Sequence, residues 1–171
     1  FVPKYKTNQV GLKTLFKTEN IIPFENSIPI YSLKVAAGEF GEIQQVEDVQ
    51  WLNIPEKIKP SKDLFACQVI GESMNKVIPN GALCLFRKYS GGSRNGQIVL
   101  VENTNMHDSD FGSCYTVKEY ESKKYEDEDG WKHQSIILKP LSTDSSYENI
   151  VLEDDDLTTF KVIGTFECVL E

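Results

Sequence analysis

Two residues of this 171-residue chain could together perform covalent chemistry, a serine at position 73 and a lysine at position 118. A serine hydroxyl is a poor nucleophile until a neighbouring base accepts its proton. Lysine can be that base only as a neutral amine, which near pH 7 requires lowering its pKa from about 10.4 by roughly 3 units. Burial against apolar groups is the direct way to achieve this. The pair predicts nucleophilic catalysis if the fold buries the two side chains together.

Each of the two residues also has a plainer interpretation. Ser73 lies in Gly71-Glu72-Ser73-Met74, ahead of Ile78-Pro79-Asn80-Gly81, and a serine after Gly-Glu is usually a turn residue. Lys118 ends Tyr115-Thr116-Val117-Lys118, and a lysine in a strand is usually exposed. In a strand, Thr116 and Tyr120 share the face of Lys118 and neither is acidic, whereas Glu119 points away.

A third segment, Val35-Ala36-Ala37-Gly38, has the features of a peptide substrate. Small side chains let an extended backbone enter a narrow cleft, and glycine after the cut bond removes steric bulk. The same four residues also fit an ordinary strand end with Gly38 in the turn, and without Ser73 and Lys118 that interpretation is preferable.

The three segments, in this order, resemble the LexA-type Ser-Lys peptidase family, which includes LexA, UmuD and the phage lambda repressor. The resemblance covers roughly residues 28–171, and the interval of 36 residues from Ala37 to Ser73 is similar to the family's. It implies that Ser73 attacks the carbonyl of Ala37 while Lys118 accepts the proton. It further implies that Thr116 orients the amine and that the backbone at Ser73 and Met74 helps to hold the oxyanion, with the Met74 side chain packing rather than reacting.

Two intervals depart from the family pattern. Ser73 and Lys118 are 45 residues apart, which is longer than in compact members, and the excess falls around residues 103–113. Residues 147–151 also follow Pro140 at a stretched distance. Both look like loop insertions, which leave substrate access and partner docking open.

The elements that must position these residues are predicted to be strands. Short runs rich in β-branched and aromatic residues alternate with turn residues, and no long amphipathic helix interrupts them. We expect a mainly β domain of bent antiparallel sheets with little helix, of the LexA C-terminal peptidase type. The predicted strands are Ile28–Leu33, Leu64–Ile70, Ala82–Tyr89, Gln97–Asn103, Cys114–Ser122, His133–Pro140 and Phe160–Leu170.

The chain divides into two predicted parts. Residues 1–27 show no sustained period and are expected to form a linker or extension, whereas residues 28–171 form the peptidase domain, including the cleavage segment 35–38. Within that domain, residues 126–130 suit the tip of a hairpin and residues 153–156 suit a charged loop. The chain begins with Phe1 rather than Met, so we expect it to derive from a longer polypeptide.

Composition excludes several classes of function. A net charge of −8 argues against direct nucleic-acid binding by the domain, although residues 1–37 carry five Lys and two Glu. The four cysteines form no C-x-x-C pair, and Cys67 and Cys84 fit buried structural thiols. Nucleotide-binding and zinc-hydrolase motifs are absent, so no metal or cofactor is expected. No apolar run is long enough to span a membrane and no signal peptide is visible, which favours the cytoplasm.

The first functional hypothesis is a regulatory switch that cuts its own chain between Ala37 and Gly38, in a stress response or within a larger DNA-associated protein. The family resemblance implies a homodimer, through pairing of Phe160–Leu170, and a RecA-type filament as activator. The alternative is a catalytically silent dimerisation or interaction module of a larger, for example helicase-like, protein. A signal peptidase would use the same two residues but is disfavoured without a membrane anchor.

Overall fold

A computed structural model describes residues 20–31, 50–105, 114–130 and 132–170 of the chain. The predicted cleavage segment, Val35 to Gly38, lies outside these residues, as does most of the predicted insertion near residue 110. Both ends of the cleavage segment's connection are nevertheless fixed, because the described chain stops at Tyr31 in one strand and resumes at Gln50 in the next.

Nine strands form one sheet in the described part of the chain. Their bounds are β1 Ser27–Tyr31, β2 Gln50–Asn53, β3 Leu64–Val69, β4 Ala82–Lys88, β5 Ile98–Asn103, β6 Tyr115–Glu126, β7 Lys132–Lys139, β8 Ile150–Glu153 and β9 Phe160–Val169. A single short 3-10 helix, Asp154–Thr158, is the helical element among the described residues. The fold is therefore mainly β, as predicted.

The strand order is β2-β1-β3-β4-β9-β5-β6-β7-β8. Every neighbouring pair is antiparallel except β1 and β3, in which Ile30 pairs with Ala66 and Tyr31 with Cys67. The sheet is thus mixed at one point, because β2 turns back outside β1 and leaves the other edge of β1 to β3. Register shifts in the β4–β9 and β5–β9 pairs mark where β9 bends.

The seven predicted strands all form, with ends that differ by a few residues, and two further strands were missed. β2 and β8 have only four residues each, too few to show an alternating pattern in the sequence. β6 is longer than predicted, since it continues to Glu126 and pairs with β7 as far as Lys132. The predicted hairpin tip accordingly lies between β6 and β7.

The acidic run at residues 153–156 is not the charged loop that the sequence predicts. Glu153 ends β8, and the next residues turn into the 3-10 helix. The amide of Glu153 donates to the Asp156 carboxylate at 3.4 Å, and Thr158 donates to the Asp155 carbonyl at 2.8 Å. Acidic side chains in a first helical turn are favoured by the partial positive charge of the unpaired amides there, which explains why the run folds.

Three groups of buried apolar side chains line the faces of the sheet. The largest includes Phe65, Met74, Phe86 and Val117, and it also contains Cys67 and Cys84, both fully buried as predicted. A second group lies beneath β1, β2 and β3, and a third between β5, β6 and β7. None of the helical residues described is part of a segment long and apolar enough to cross a membrane.

Candidate active site

Lys118 lies on β6 with its amine among three oxygen atoms. Its Nζ is 2.9 Å from Ser73 Oγ, 2.7 Å from Thr116 Oγ1 and 3.1 Å from the backbone oxygen of Val117. Only 4% of Lys118 is exposed, and Thr116 is fully buried. The alternation of β6 explains the pairing with Thr116, since residues two apart share a strand face.

Ser73 lies in the connection between β3 and β4, which a set of turns folds tightly. Gly71 has a φ of 105°, a left-handed conformation that glycine adopts at little cost, and its amide donates to Asn80 Oδ1 at 2.8 Å. Beyond the serine, the amide of Ile78 donates to the Met74 carbonyl at 2.8 Å. These bonds leave Ser73 4% exposed.

The segment that carries Ser73 is also fixed by the chain after β7. The amide of Leu141 donates to the Ser73 carbonyl at 2.9 Å, and the Leu141 carbonyl accepts from the amide of Lys76, also at 2.9 Å. The Asn75 side chain adds two more bonds: its Oδ1 accepts from the Thr143 amide at 2.8 Å, and its Nδ2 donates to Thr143 Oγ1 at 3.0 Å. The nucleophile is therefore held by residues nearly 70 positions later in the chain.

The contact between Ser73 and Lys118 depends on the curvature of the whole sheet. Four strand spacings separate β3 from β6 in the strand order, which would amount to about 19 Å in a flat sheet. The connection after β3 and the bends around β9 bring the hydroxyl and the amine to 2.9 Å instead. Sequence spacing alone does not determine this approach.

Burial sets the electrostatics of the pair. Removal from water disfavours the charged form of an amine, and the Thr116 hydroxyl and Val117 carbonyl are neutral groups. A neutral amine at this position can accept the proton of the Ser73 hydroxyl, since 2.9 Å is an ordinary hydrogen-bond distance. The arrangement is chemically suited to activating a serine.

Met74 contributes packing through its side chain and an N–H through its backbone. The side chain is 2% exposed and belongs to the largest apolar group of the core. Among the described residues, no backbone or side-chain oxygen accepts from the amide of Ser73 or of Met74. Two neighbouring N–H groups beside the hydroxyl are thus available for a negatively charged oxygen.

The structure thus brings together Ser73, Lys118, Thr116 and Met74 of the predicted site, whereas Val35, Ala36, Ala37 and Gly38 lie outside the described residues. The residues that the sequence did not reveal are Leu141, Asn75 and Thr143, which position the serine segment. No local motif marks them, because their role comes from a contact between distant loops. The described residues contain no group of three or more His, Cys, Asp or Glu that could hold a metal ion.

A sequence model of peptidase S24-like proteins matches residues 29–166. The chain belongs to the peptidase S24-like family. This is the LexA-type Ser-Lys peptidase family that the three motifs indicated. The matched range runs from β1 to β9, so the peptidase S24-like domain includes both Ser73 and Lys118. A search of curated proteins gives no match for the chain.

Proposed function

We propose that this domain is a serine endopeptidase that cuts its own chain between Ala37 and Gly38 and acts as a regulatory switch. The observation that carries the proposal is the buried hydrogen bond of 2.9 Å between Lys118 Nζ and Ser73 Oγ. A peptidase-type domain follows from the family; the roles of the individual residues and the self-cleavage are our inference.

In the proposed reaction, neutral Lys118 takes the hydroxyl proton as Ser73 Oγ attacks the carbonyl carbon of Ala37. The Ala37–Gly38 bond then breaks, and Lys118 returns the proton to the amine of Gly38. A water molecule, deprotonated by the same lysine, hydrolyses the ester on Ser73. Thr116 keeps the amine directed at the serine through its bond of 2.7 Å.

The amides of Ser73 and Met74 are the proposed donors to the oxyanion. Charge develops on the carbonyl oxygen of Ala37 during attack, and fixed N–H groups stabilise it without reorganising. The turn at residues 71–78 and the bonds to Leu141 hold this backbone in place. Pre-positioned donors of this kind typically account for 10²–10³-fold in rate.

The register of β1 on β3 supports cleavage within the same chain. Tyr31 pairs with Cys67 in a parallel arrangement, so the segments that follow β1 and β3 leave the sheet in the same direction. Ala37 follows Tyr31 by six residues, and Ser73 follows Cys67 by six residues. Six residues can reach about 20 Å, and tethering replaces a bimolecular encounter by an intramolecular one.

The switch would act by separating whatever precedes Gly38 from the peptidase domain. We further propose a homodimer and, as activator, a RecA-type filament. Delivery of a tethered loop into the site can be slow, so a partner that promotes docking could control the rate.

The test is incubation of the purified chain between pH 6 and pH 9, with mass spectrometry to detect a new N-terminus at Gly38. The parent should be cut, and the rate should rise about tenfold per pH unit as long as most Lys118 is charged. Ser73→Ala and Lys118→Ala should remain whole. Ser145→Ala, which changes an exposed serine outside both the serine–lysine site and the neighbouring pocket, is the matched control and should be cut like the parent.

An uncut parent over this range, alone and with an activating filament, would contradict the proposal and favour the alternative of a catalytically silent interaction module. Cutting that persists in Ser73→Ala would also contradict it, because another nucleophile or a contaminating protease would then be responsible.

A further inference from the structure

A polar pocket of about 310 Å³ lies beside β6, away from the serine and lysine just described. The loop of residues 92–95 forms one wall, and Tyr120, Ser122 and Lys124 of β6 form another. Gln134 of β7 completes the lining; it is the register partner of Lys124 and therefore lies on the same side of the sheet.

Arg94 is held in this pocket by two aromatic rings. The guanidinium carbon lies 4.4 Å from the ring centre of Tyr89 and 4.9 Å from that of Tyr120. Stacking on aromatic faces leaves the N–H edge of a guanidinium available for a planar anion. Within the described residues, neither Arg94 nor Lys124 forms an ion pair with a carboxylate. Two such cations in one pocket are notable in a chain of net charge −8.

The neutral groups of the pocket are already positioned. Asn95 Oδ1 accepts from the amide of Ser122 at 2.7 Å, which ties the loop to β6. Ser122 Oγ accepts from Gln134 Nε2 at 3.1 Å, so the serine hydroxyl keeps its own proton for donation. Guanidinium, ammonium and hydroxyl donors together match the acceptor-only chemistry of a carboxylate.

The pocket lies on the face of β6 that carries the catalytic pair. Side chains alternate along a strand, so Lys118, Tyr120 and Lys124 share one face. A strand advances about 3.3 Å per residue, which places Tyr120 about 7 Å and Lys124 about 20 Å along the strand from Lys118. An extended peptide with its scissile bond at Ser73 could reach this range with a residue two to six positions from the cut.

We propose that the Arg94 pocket is a specificity subsite for an acidic side chain of the peptide substrate, a role that rests on the proposed function. In this chain, residues 28–38 contain no acid, and the first two after the scissile bond are Glu39 and Glu42. They fall within the required range. Glu47 serves as the control acid, because it precedes β2 by three residues in the sequence and β2 is six strand positions from β6.

The first test measures the self-cleavage rate of four single variants. Arg94→Gln should slow cleavage about tenfold, as expected for the loss of a charge-assisted hydrogen bond, and so should one of the two variants Glu39→Gln and Glu42→Gln. Combining Arg94→Gln with that glutamate variant should slow cleavage no further, because the two side chains contact each other. Glu47→Gln should cleave like the parent. Equal rates in all variants would overturn the subsite while leaving the self-cleavage intact.

The second test does not need cleavage. In Ser73→Ala, carbon-detected NMR follows the titration of glutamate side chains, and the docked glutamate should titrate below the ordinary value of about 4.3 while Glu47 does not. Arg94→Gln should return that midpoint to normal, and Arg94→Lys should return it in part. If neither Glu39 nor Glu42 is shifted, the subsite is wrong. A shifted glutamate in a chain whose parent never cuts would keep the subsite and refute the cleavage.

Discussion

At the scale of single residues, the site depends on an amine in contact with two hydroxyls and a backbone carbonyl. Lys118 is almost fully buried, and the hydroxyls of Ser73 and Thr116 lie within 3 Å of its Nζ. We propose different roles for the two hydroxyls: that of Ser73 is the nucleophile, and that of Thr116 orients the amine towards it. A threonine two residues before a strand lysine was predicted to share its face, and the distance of 2.7 Å agrees with that prediction.

The orienting role of Thr116 is testable by removing its oxygen alone. Thr116→Val keeps the shape of the side chain and should lower the self-cleavage rate about 10- to 100-fold, because a hydrogen bond to the amine is lost. Thr116→Ser keeps the hydroxyl and should restore most of the rate. Rates from mass spectrometry at several pH values measure this, and thermal unfolding checks that both variants fold. A valine variant as fast as the parent would show that Thr116 only packs.

At the scale of elements, β6 and β9 determine the geometry. β6 carries the lysine and one side of the Arg94 pocket, and β9 joins the β4 half of the sheet to the β5 half. Gly164 of β9 pairs with Lys88 of β4 and lies close to the backbone of that strand. A Cβ added there would be 2.8 Å from the backbone oxygen of Arg87 and 3.0 Å from the Phe65 ring. The absence of a side chain at this residue allows β9 to pack.

Gly164→Ala should therefore destabilise the fold by about 1–3 kcal/mol, the usual cost of overpacking. The backbone contact cannot be relieved by rotating a side chain, so adding Phe65→Leu should recover little. Urea unfolding at pH 7 measures both variants. If Gly164→Ala unfolds at the same urea concentration as the parent, a Cβ at this position is tolerated and the prediction of overpacking is wrong.

At the scale of the whole molecule, the bent sheet encloses thiols as well as the site. Burial raises the pKa of Cys67, and burial together with the nearby Cys67 and Cys168 thiols raises that of Cys84. The pKa of each thiol is therefore higher in the folded chain than the value of about 8.5 expected in the unfolded chain. Their contribution to the free energy of unfolding is complete below about pH 8.5 and is lost as the pH rises towards the folded-state pKa. Above this point the unfolded chain ionises thiols that the folded chain keeps neutral.

The two thiols should accordingly contribute a fall in the free energy of unfolding above about pH 8.5, which approaches about 2.7 kcal/mol per pH unit. Urea unfolding at intervals from pH 7 to pH 10 measures the slope in the parent and in Cys67→Ala, and the substitution should make the fall less steep by about 1.4 kcal/mol per pH unit. A slope that is the same in the parent and in Cys67→Ala would contradict the assignment to these thiols.

The proposed homodimer also belongs to this scale. β9 pairs with β4 along residues 164–169 and with β5 along residues 160–165. In the described part of the chain, the register with β5 ends at Thr165, so the final residues of β9 are the part that could pair across a two-fold axis. Sedimentation velocity across a concentration series should show a dimer. A monomer at every concentration would contradict the expectation.

The sequence by itself determined seven of the nine described strands, the mainly β class and the choice of Ser73 and Lys118, because alternation and short motifs are local properties of the chain. It did not reveal β2 or β8, whose four residues are too short to carry a pattern, or the helical turn at Asp154, which depends on a first turn of acids. Only the tertiary structure decided that Ser73 meets Lys118, that Leu141 and Thr143 hold the serine segment, and that Arg94 faces a pocket beside β6. Those contacts join residues far apart in the chain, and the curvature of the sheet, which no local pattern encodes, sets their distances.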